Sequence, residues 1–284
     1  MREREGVFSV AAMSRVLGVT RQGYYAWKHR PPSVRQREDF VLRTEIRSAF
    51  AASRRSYGSR CIRQALRPLG YRVGRERVAR LMLQEGLRAK RSRRFRVTTD
   101  SRNTKVVHAN VLARDFSVGT ANRAWAGDIT YLWTLEGWLY LAVVLDVGTR
   151  RAIGWSFREN LEAELVVGAL AMALGLRPAS SGLIYHSDRG SQYGSEKMQA
   201  LLRRFGLQGS MSGKGDCWDN SVVESFFGSL KTELVAEARW ATRAEAKRAV
   251  VEWMEGWYNR SRLHSSLGYR SPVEFERQLT AKTN

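Results

Sequence analysis

Cysteine is almost missing from this chain. Two occur in 284 residues, Cys61 and Cys217, far apart and in no C-x-x-C pair. A disulfide framework and a thiolate zinc site are therefore unlikely foundations for the fold. Histidine is scarce as well, with His29, His108, His186 and His264 scattered along the chain. No apolar run approaches the roughly 20 residues that a membrane-spanning helix needs, and the N-terminal M-R-E-R-E-G has no apolar signal core. The expected setting is a reducing cytoplasm, with no membrane partner. Acidic residues are thin in one region. Residues 1–100 hold 8 Asp and Glu against 25 Lys and Arg, a net of +17, while residues 101–284 hold 19 against 23, a net of +4. Charge so concentrated attracts polyanions, nucleic acid first among them; the competing reading is a solvated arginine-rich surface. The hydrophobic fraction of 43% suits globular domains with a real core rather than disorder.

What is present falls into segments. Residues 1–30 read as a helix-turn-helix-like unit. Val10, Met13, Val16 and Leu17 recur at helical spacing, Gly18 stops the first helix, and Thr20 caps a second that carries Tyr24, Tyr25 and Trp27. Two readings of it stand side by side: a helix for the major groove, or a helical hairpin with Tyr24 and Trp27 as its core. Pro31-Pro32-Ser33 breaks the chain. Residues 31–90 then read as a helical DNA-binding domain. A long helix starts at about Arg37 with Leu42, Ile46, Ala49 and Phe50 on one face. Another opens at Tyr57-Gly58 and ends near Leu69-Gly70, and a third spans 75–84 with Val78, Leu81 and Met82 inward. Arg75, Arg77 and Arg80 spread over the outer face of the third, as phosphate contacts would. Residues 91–120 open with a densely basic stretch that includes Arg91, Arg93 and Arg94. Its two readings are a linker tracking a DNA backbone and a plain tether.

From residue 121 to 278 the pattern becomes α/β. Residues 125–133 alternate, 138–146 is a nearly continuous apolar run typical of a buried strand, and 151–157 is a third strand. A helix over 162–176 follows, then a strand over 182–186, a helix over 195–205, a short strand over 207–210, and a long helix from about Asp219.

Three carboxylates stand out in this region: Asp128 in W-A-G-D-I-T-Y, Asp188 in H-S-D-R-G-S-Q-Y, and Glu224 in W-D-N-S-V-V-E-S-F-F-G-S-L-K. Asp128 is a charge in mid-strand, costly to bury without a use for it. Asp188 lies just past a buried strand, where α/β sheets place ligands, although a turn Asp has the same look. Glu224 fits a capping box with Ser221. If Asp219 caps the helix instead, Glu224 lies beyond the first turn and shares a face with Phe227, Gly228 and Lys231. Thirty-five residues separate Asp188 from Glu224. Three converging carboxylates repel one another unless protons or cations intervene. Mg²⁺ takes oxygen ligands alongside substrate phosphates, so the set reads as a metal site for breaking or joining phosphodiesters. Asp146 and Glu136 read as turn residues, and His186 as a packing residue. The Gly-rich loop before the long helix reads as a flap over substrate. Y-N-R-S-R-L-H-S-S-L-G-Y-R-S-P (258–272) is open between DNA contact and a folded cap.

The three motifs together resemble the catalytic core of DDE transposases and retroviral-type integrases, and most closely the OrfB product of the "IS-three" family of bacterial insertion sequences. The resemblance runs from about residue 8 to 276. It implies an RNase H-like integrase core preceded by a small all-α helix-turn-helix region, and the order of strands and helices agrees. It also implies catalytic residues Asp128, Asp188 and Glu224 holding two Mg²⁺ or Mn²⁺ ions, with Lys231 beside the DNA end. The implied substrate is double-stranded DNA, both the element's inverted-repeat ends and the target. The implied setting is nucleoid-associated, and the implied assembly is a homo-oligomer on DNA. Gly127 departs from the bulkier or hydroxyl residue frequent there, and the zinc domain of retroviral integrases has no counterpart. The family's active enzyme is usually fused to an upstream-frame partner with a leucine zipper; no sustained heptad run is visible here. The rival expectations are a catalytically silent DNA-binding regulator and a structure-selective nuclease.

Overall fold

The computed structural model describes residues 1–90, 106–213 and 217–283. Arg91, Arg93 and Arg94 of the expected basic linker lie outside the described residues, as do positions 214–216 of the expected flap.

The N-terminal part is helical. α1 (Val10–Val16) and α2 (Arg21–His29) begin at Ser9 and Thr20, whose hydroxyls accept from Ala12 and Gly23 backbone N–H. Tyr24 is buried and donates to Glu5, whereas Trp27 stays 56% exposed, so only one of the two aromatics serves as core. α3 (Val34–Ala52) starts three residues earlier than the apolar spacing indicated. The cause is a reciprocal capping box: Ser33 Oγ accepts from Gln36 N–H while the Gln36 side chain accepts from Ser33 N–H. α4 (Ser59–Leu66) and α5 (Arg75–Gln84) complete a core of Leu42, Ile46, Phe50, Tyr57, Ile62, Leu66, Val78, Leu81 and Met82.

The second part is a five-stranded sheet in the order β3-β2-β1-β4-β5. Its strands are β1 (Ala124–Thr134), β2 (Gly137–Asp146), β3 (Ala152–Arg158), β4 (Ile184–Ser187) and β5 (Gln208–Met211). The first three form an antiparallel meander; β4 and β5 join parallel to β1. Both faces are covered. α6 (Ala163–Leu176) and α7 (Glu196–Arg204) pack on one, with Leu165, Ala169, Leu170, Met198 and Leu202 against Val144 and Ile153. α8 (Ser221–Glu233) and α9 (Arg243–Glu252) pack on the other, with Val223, Phe226, Leu230 and Val250 against Leu132, Leu139 and Leu141. α9 runs into a π-helical turn, Trp253–Tyr258, and the described chain closes with α10 (Pro272–Thr283).

The two parts touch. Leu263 N–H donates to Tyr57 Oη at 2.6 Å, and the Tyr57 and Trp257 rings lie 5.8 Å apart. The 258–272 segment turns inward rather than outward: Tyr258 and Asn259 are buried, Asn259 bonds both the N–H and C=O of Ala152, and Arg262 pairs with Glu233 at 2.8 Å. Among the described residues no helix is long and apolar enough to cross a membrane.

Candidate active site

Strand register brings the first two carboxylates together. β1 pairs with β2 along its whole length, which sets Asp128 opposite Val143. On its other side β1 pairs with β4 only at Ala124, Trp125 and Ala126, against Ile184, Tyr185 and His186. Continued by two residues, that register places Asp128 level with Asp188, where the strands part and β4 has just ended at Ser187. Neighbouring strands run about 4.8 Å apart, and residues level in parallel strands point to the same side. The opening between diverging parallel strands is where α/β sheets bind ligands.

Each carboxylate is held locally. Asp128 Oδ1 accepts from Ile129 N–H at 2.7 Å, and Asp188 Oδ1 accepts from Gly190 N–H at 2.9 Å. Glu224 comes from α8, in the last position of its first turn. The expected cap is not there: Asp219 does not cap α8. Its carboxylate accepts from Asn110 Nδ2 at 2.9 Å, Gly213 N–H at 2.8 Å and Arg114 Nε at 2.6 Å. Against the raising effect of burial, Gly213 N–H and the Arg114 guanidinium hold the Asp219 pKa down. Asn220 occupies the cap position without a capping bond. It donates instead to Gly127 O at 3.2 Å, tying the start of α8 to the residue before Asp128. Glu224 is thus fixed relative to Asp128 by a side-chain strut rather than by a cap, and the Ser221 capping box does not form.

The electrostatics are those of a like-charged cluster. Burial first, then the charges of Asp188 and Glu224, push the Asp128 carboxyl well above the ordinary carboxylate range, against the opposing pull of Ile129 N–H and Lys231. Burial raises Asp188 and Glu224 also. Lys231, two turns after Glu224, is lowered by burial and supported by the negative charge of Asp128. Its Nζ sits 5.7 Å from the centroid of the Tyr131 ring. A Cβ on Gly228, between Glu224 and Lys231, would meet nothing within 4 Å, so this face of α8 is open.

The donor chemistry fits a hard divalent cation: carboxylate oxygens only, all three made poorer homes for negative charge by burial, and Asp128 by the other two carboxylates as well. Among the described residues no three His, Cys, Asp or Glu side chains are drawn in tightly enough to enclose an ion alone. A Mg²⁺ site commonly completes its shell with water and substrate phosphate oxygens, which suits so open a set.

Several residues that shape the site escaped the sequence reading. Tyr185 and Tyr193 look like core aromatics, and both are buried. Yet burial and the charges of Asp128 and Asp188 raise both phenols, Tyr193 also feeling Tyr185, which places them behind the carboxylates. Tyr193 Oη has no hydrogen-bond partner. Gly127 has a structural reason: a Cβ there would stand 2.2 Å from Tyr185 Oη. Gly127→Ala is therefore expected to cost about 1–3 kcal/mol in urea denaturation, by overpacking. Adding Tyr185→Phe, which removes the offending oxygen, should recover part of that loss. His186 is fully buried between Ser210 and Ser212 hydroxyls at 2.9 and 3.3 Å, and burial lowers its pKa, so it packs as a neutral ring.

The arginines of α5 have internal partners. Arg77 Nε and Arg80 Nη2 each lie 2.7 Å from Asp39 of α3, Arg77 also reaches Glu38 at 2.9 Å, and Arg75 lies 3.6 Å from Glu76. Arg77 and Arg80 thus tie α3 to α5, whatever else they touch.

Comparison with known proteins agrees with this architecture. Two models described as integrase core domain match residues 120–217 and 205–272, and one described as HTH-like domain matches 36–95. The transposase InsF of insertion sequence IS3A from Escherichia coli strain K12 is 42% identical over 281 residues, covering 98% of both chains. The chain belongs to the IS3 family of transposases. Another relative of this IS3-family protein, a 31 kDa protein of insertion element IS600 from Shigella sonnei, is 43% identical over 263 residues, 93% of this chain and 97% of its own. The catalytic core of BIV integrase is similar at 18% identity with a TM-score of 0.43, covering 57% of this chain and 99% of that one.

Proposed function

We propose that this IS3-family transposase cuts DNA at the inverted-repeat ends of its own element and joins those ends to target DNA, with Asp128, Asp188 and Glu224 holding two divalent ions, Mg²⁺ or Mn²⁺. The observation that carries the reading is the register of β1 and β4, which sets Asp128 level with Asp188 at the open end of the sheet within the field of Glu224. When bound, such ions supply charge for the attacking and leaving oxygens of an in-line displacement. The protein's own groups do the rest. The three carboxylates hold the ions and are relieved of mutual repulsion by them. The open face of α8 at Gly228 admits the DNA backbone. Lys231 presents its ammonium to a phosphate oxygen beside the scissile bond. No side chain forms a covalent link to DNA: the nucleophile is water in cleavage and a DNA 3′-hydroxyl in joining. The +17 N-terminal third supplies sequence-independent attraction to the backbone. The active form is proposed as a homo-oligomer that pairs two ends, with fusion to an upstream-frame product as a further possibility of the family pattern.

The test is incubation of the purified chain with a duplex carrying the element's terminal repeat, with Mg²⁺ and with chelator. Metal-dependent nicking at the repeat end, followed by joining, is the expected result. DNA binding without any metal-dependent cleavage would favour the silent regulator, and cleavage indifferent to the repeat would favour a nuclease.

Lys231→Ala should lower joining of a pre-cleaved end about tenfold to a hundredfold, the worth of one hydrogen bond to a charged group. Lys231→Arg should keep part of the activity, because the charge stays while the planar fork fits differently. Wild-type joining by the alanine variant, at an unchanged melting temperature, would remove Lys231 from the site.

A further inference from the structure

On its outer face the β1–β2 hairpin extends past α6 and α7. Its alternation sends Leu132 and Leu139 into the core, fully buried, while Tyr131, Trp133 and Trp138 stay 40%, 57% and 45% exposed. The covering of that outer face stops at Ile129 and Tyr140, which pack against the α6–α7 cluster; the three rings beyond belong to neither core. They form a rigid group of their own. Trp133 pairs directly with Trp138 across the strands. Trp138 meets Trp133 edge-to-face at 4.9 Å and Tyr131 at 5.2 Å. Exposed tryptophans clustered in this way are uncommon on a protein with no partner.

Charge and position narrow the partner. Lys231 lies over the Tyr131 ring at one end of the strip, and Arg243 Nε donates to Trp138 O at the other, while also pairing with Glu159. The strip starts three residues after Asp128 on the same strand and reaches Trp133 two residues later, about 10 and 17 Å along β1; its rings stand on the α6–α7 face and Asp128 on the α8 face, and Lys231 of α8, which lies over Tyr131 and feels the charge of Asp128, spans the open edge between them. A surface of aromatic faces flanked by cations matches nucleobases on a phosphate backbone. The cations at its two ends, Lys231 and Arg243, favour a polyanion on this strip over a second copy bringing the same cations. Bases inside a duplex are stacked on one another and offer no face to a side chain, so the matching ligand is unpaired.

We propose that Tyr131, Trp133 and Trp138 form a stacking platform for unpaired bases of the DNA strand next to the phosphate held at Asp128, Asp188 and Glu224. This rests on the DNA-processing function proposed above. The platform holds an opened DNA end away from its complement, so that the strand to be cut crosses the open edge of β1 at Lys231 and its phosphate reaches the carboxylates. Stacking on an aromatic face tolerates any base, so the platform adds affinity for opened ends without adding sequence preference.

The experiment uses the full-length chain carrying Asp128→Asn, so that DNA is bound and not consumed. Two duplexes are compared at one salt concentration, one blunt and fully paired, one ending in a short unpaired tail with 2-aminopurine. The Asp128→Asn chain should bind the tailed DNA more tightly and quench the 2-aminopurine. Adding Trp133→Ala or Trp138→Ala should weaken tailed-DNA binding about tenfold each, abolish the quench, and leave blunt-duplex affinity and melting temperature unchanged. Trp133→Phe should keep most of the effect. Equal weakening on both duplexes, or no change on either, overturns the proposal. So does self-association of the parent chain in sedimentation that the tryptophan variants lose, because the patch then joins two copies. Failure of the wild-type chain to bind or cut either DNA would instead overturn the function on which the proposal rests.

Discussion

Asp128→Asn, Asp188→Asn and Glu224→Gln should each cut both cleavage and joining by at least about a thousandfold while leaving DNA affinity nearly unchanged. Each exchange keeps the side chain's shape and removes a charge proposed to hold a metal, and weakening a metal's hold on the attacking or leaving oxygen would forfeit several kcal/mol of transition-state stabilisation. The same variants have a second, opposite signature. In the metal-free protein, burial and neighbouring carboxylates make ionised Asp128 unfavourable, so a neutral asparagine should raise the melting temperature without metal. Added Mg²⁺ or Mn²⁺ should then stabilise the wild-type chain strongly and the variants weakly. Thermal melts with and without metal, run beside the cleavage assay, separate a lost ligand from a damaged fold. A variant that keeps wild-type activity does not carry a ligand. One that loses activity and melts earlier without metal has been damaged structurally.

The second large effect is on stability and involves a carboxylate with no part in the chemistry. Asp146→Ala should destabilise the sheet-containing part of the chain by about 3–5 kcal/mol, the range for breaking a buried charge network by removing one partner. Asp146 is fully buried at the end of β2. It accepts from the backbone N–H of Asn122, Gly148 and Thr149 at 2.8, 2.9 and 3.1 Å, and pairs with Arg177 at 3.0 Å. Alanine leaves three backbone donors without this acceptor, those of Gly148 and Thr149 buried, and Arg177 with Glu276 as its remaining ion-pair partner. Asp146→Asn, which can still accept some of these bonds, should cost less. Equilibrium urea denaturation measures both; a loss under 1 kcal/mol for the alanine variant would show that this turn carries little of the domain's stability.

These two aspartates show what the sequence could and could not disclose. The succession of strands and helices along the chain, and the placement of Asp128 within a strand and Asp188 after one, follow from local pattern: short apolar runs, alternation and turn residues mark strands without knowledge of contacts. Asp146 read as a turn residue; it is the last residue of β2, its carboxylate accepts from the turn that follows, and its remaining partners, Asn122 and Arg177, are distant in sequence. Asp219 had the local look of a helix cap. Its real partners, Asn110 and Arg114, lie more than a hundred residues away, and the tertiary contacts prevail over the capping propensity. Arg77 and Arg80 looked free because their acidic partner Asp39 sits on another helix. Tyr185 and Tyr193 could not be told from ordinary core aromatics, since only the fold places their hydroxyls behind two carboxylates. The three carboxylates proposed as the site were legible through their mismatch with their surroundings; the residues that position them were not, because their signal is a contact.

The most direct test of the account is where the metal goes. Crystals of the chain soaked in Mn²⁺ with a cleaved repeat end, measured at the manganese absorption edge, should show two anomalous peaks about 4 Å apart, ligated by Asp128, Asp188 and Glu224 and by oxygens of the terminal phosphate. Manganese bound elsewhere, or no peak between these three carboxylates in the presence of DNA, would contradict it.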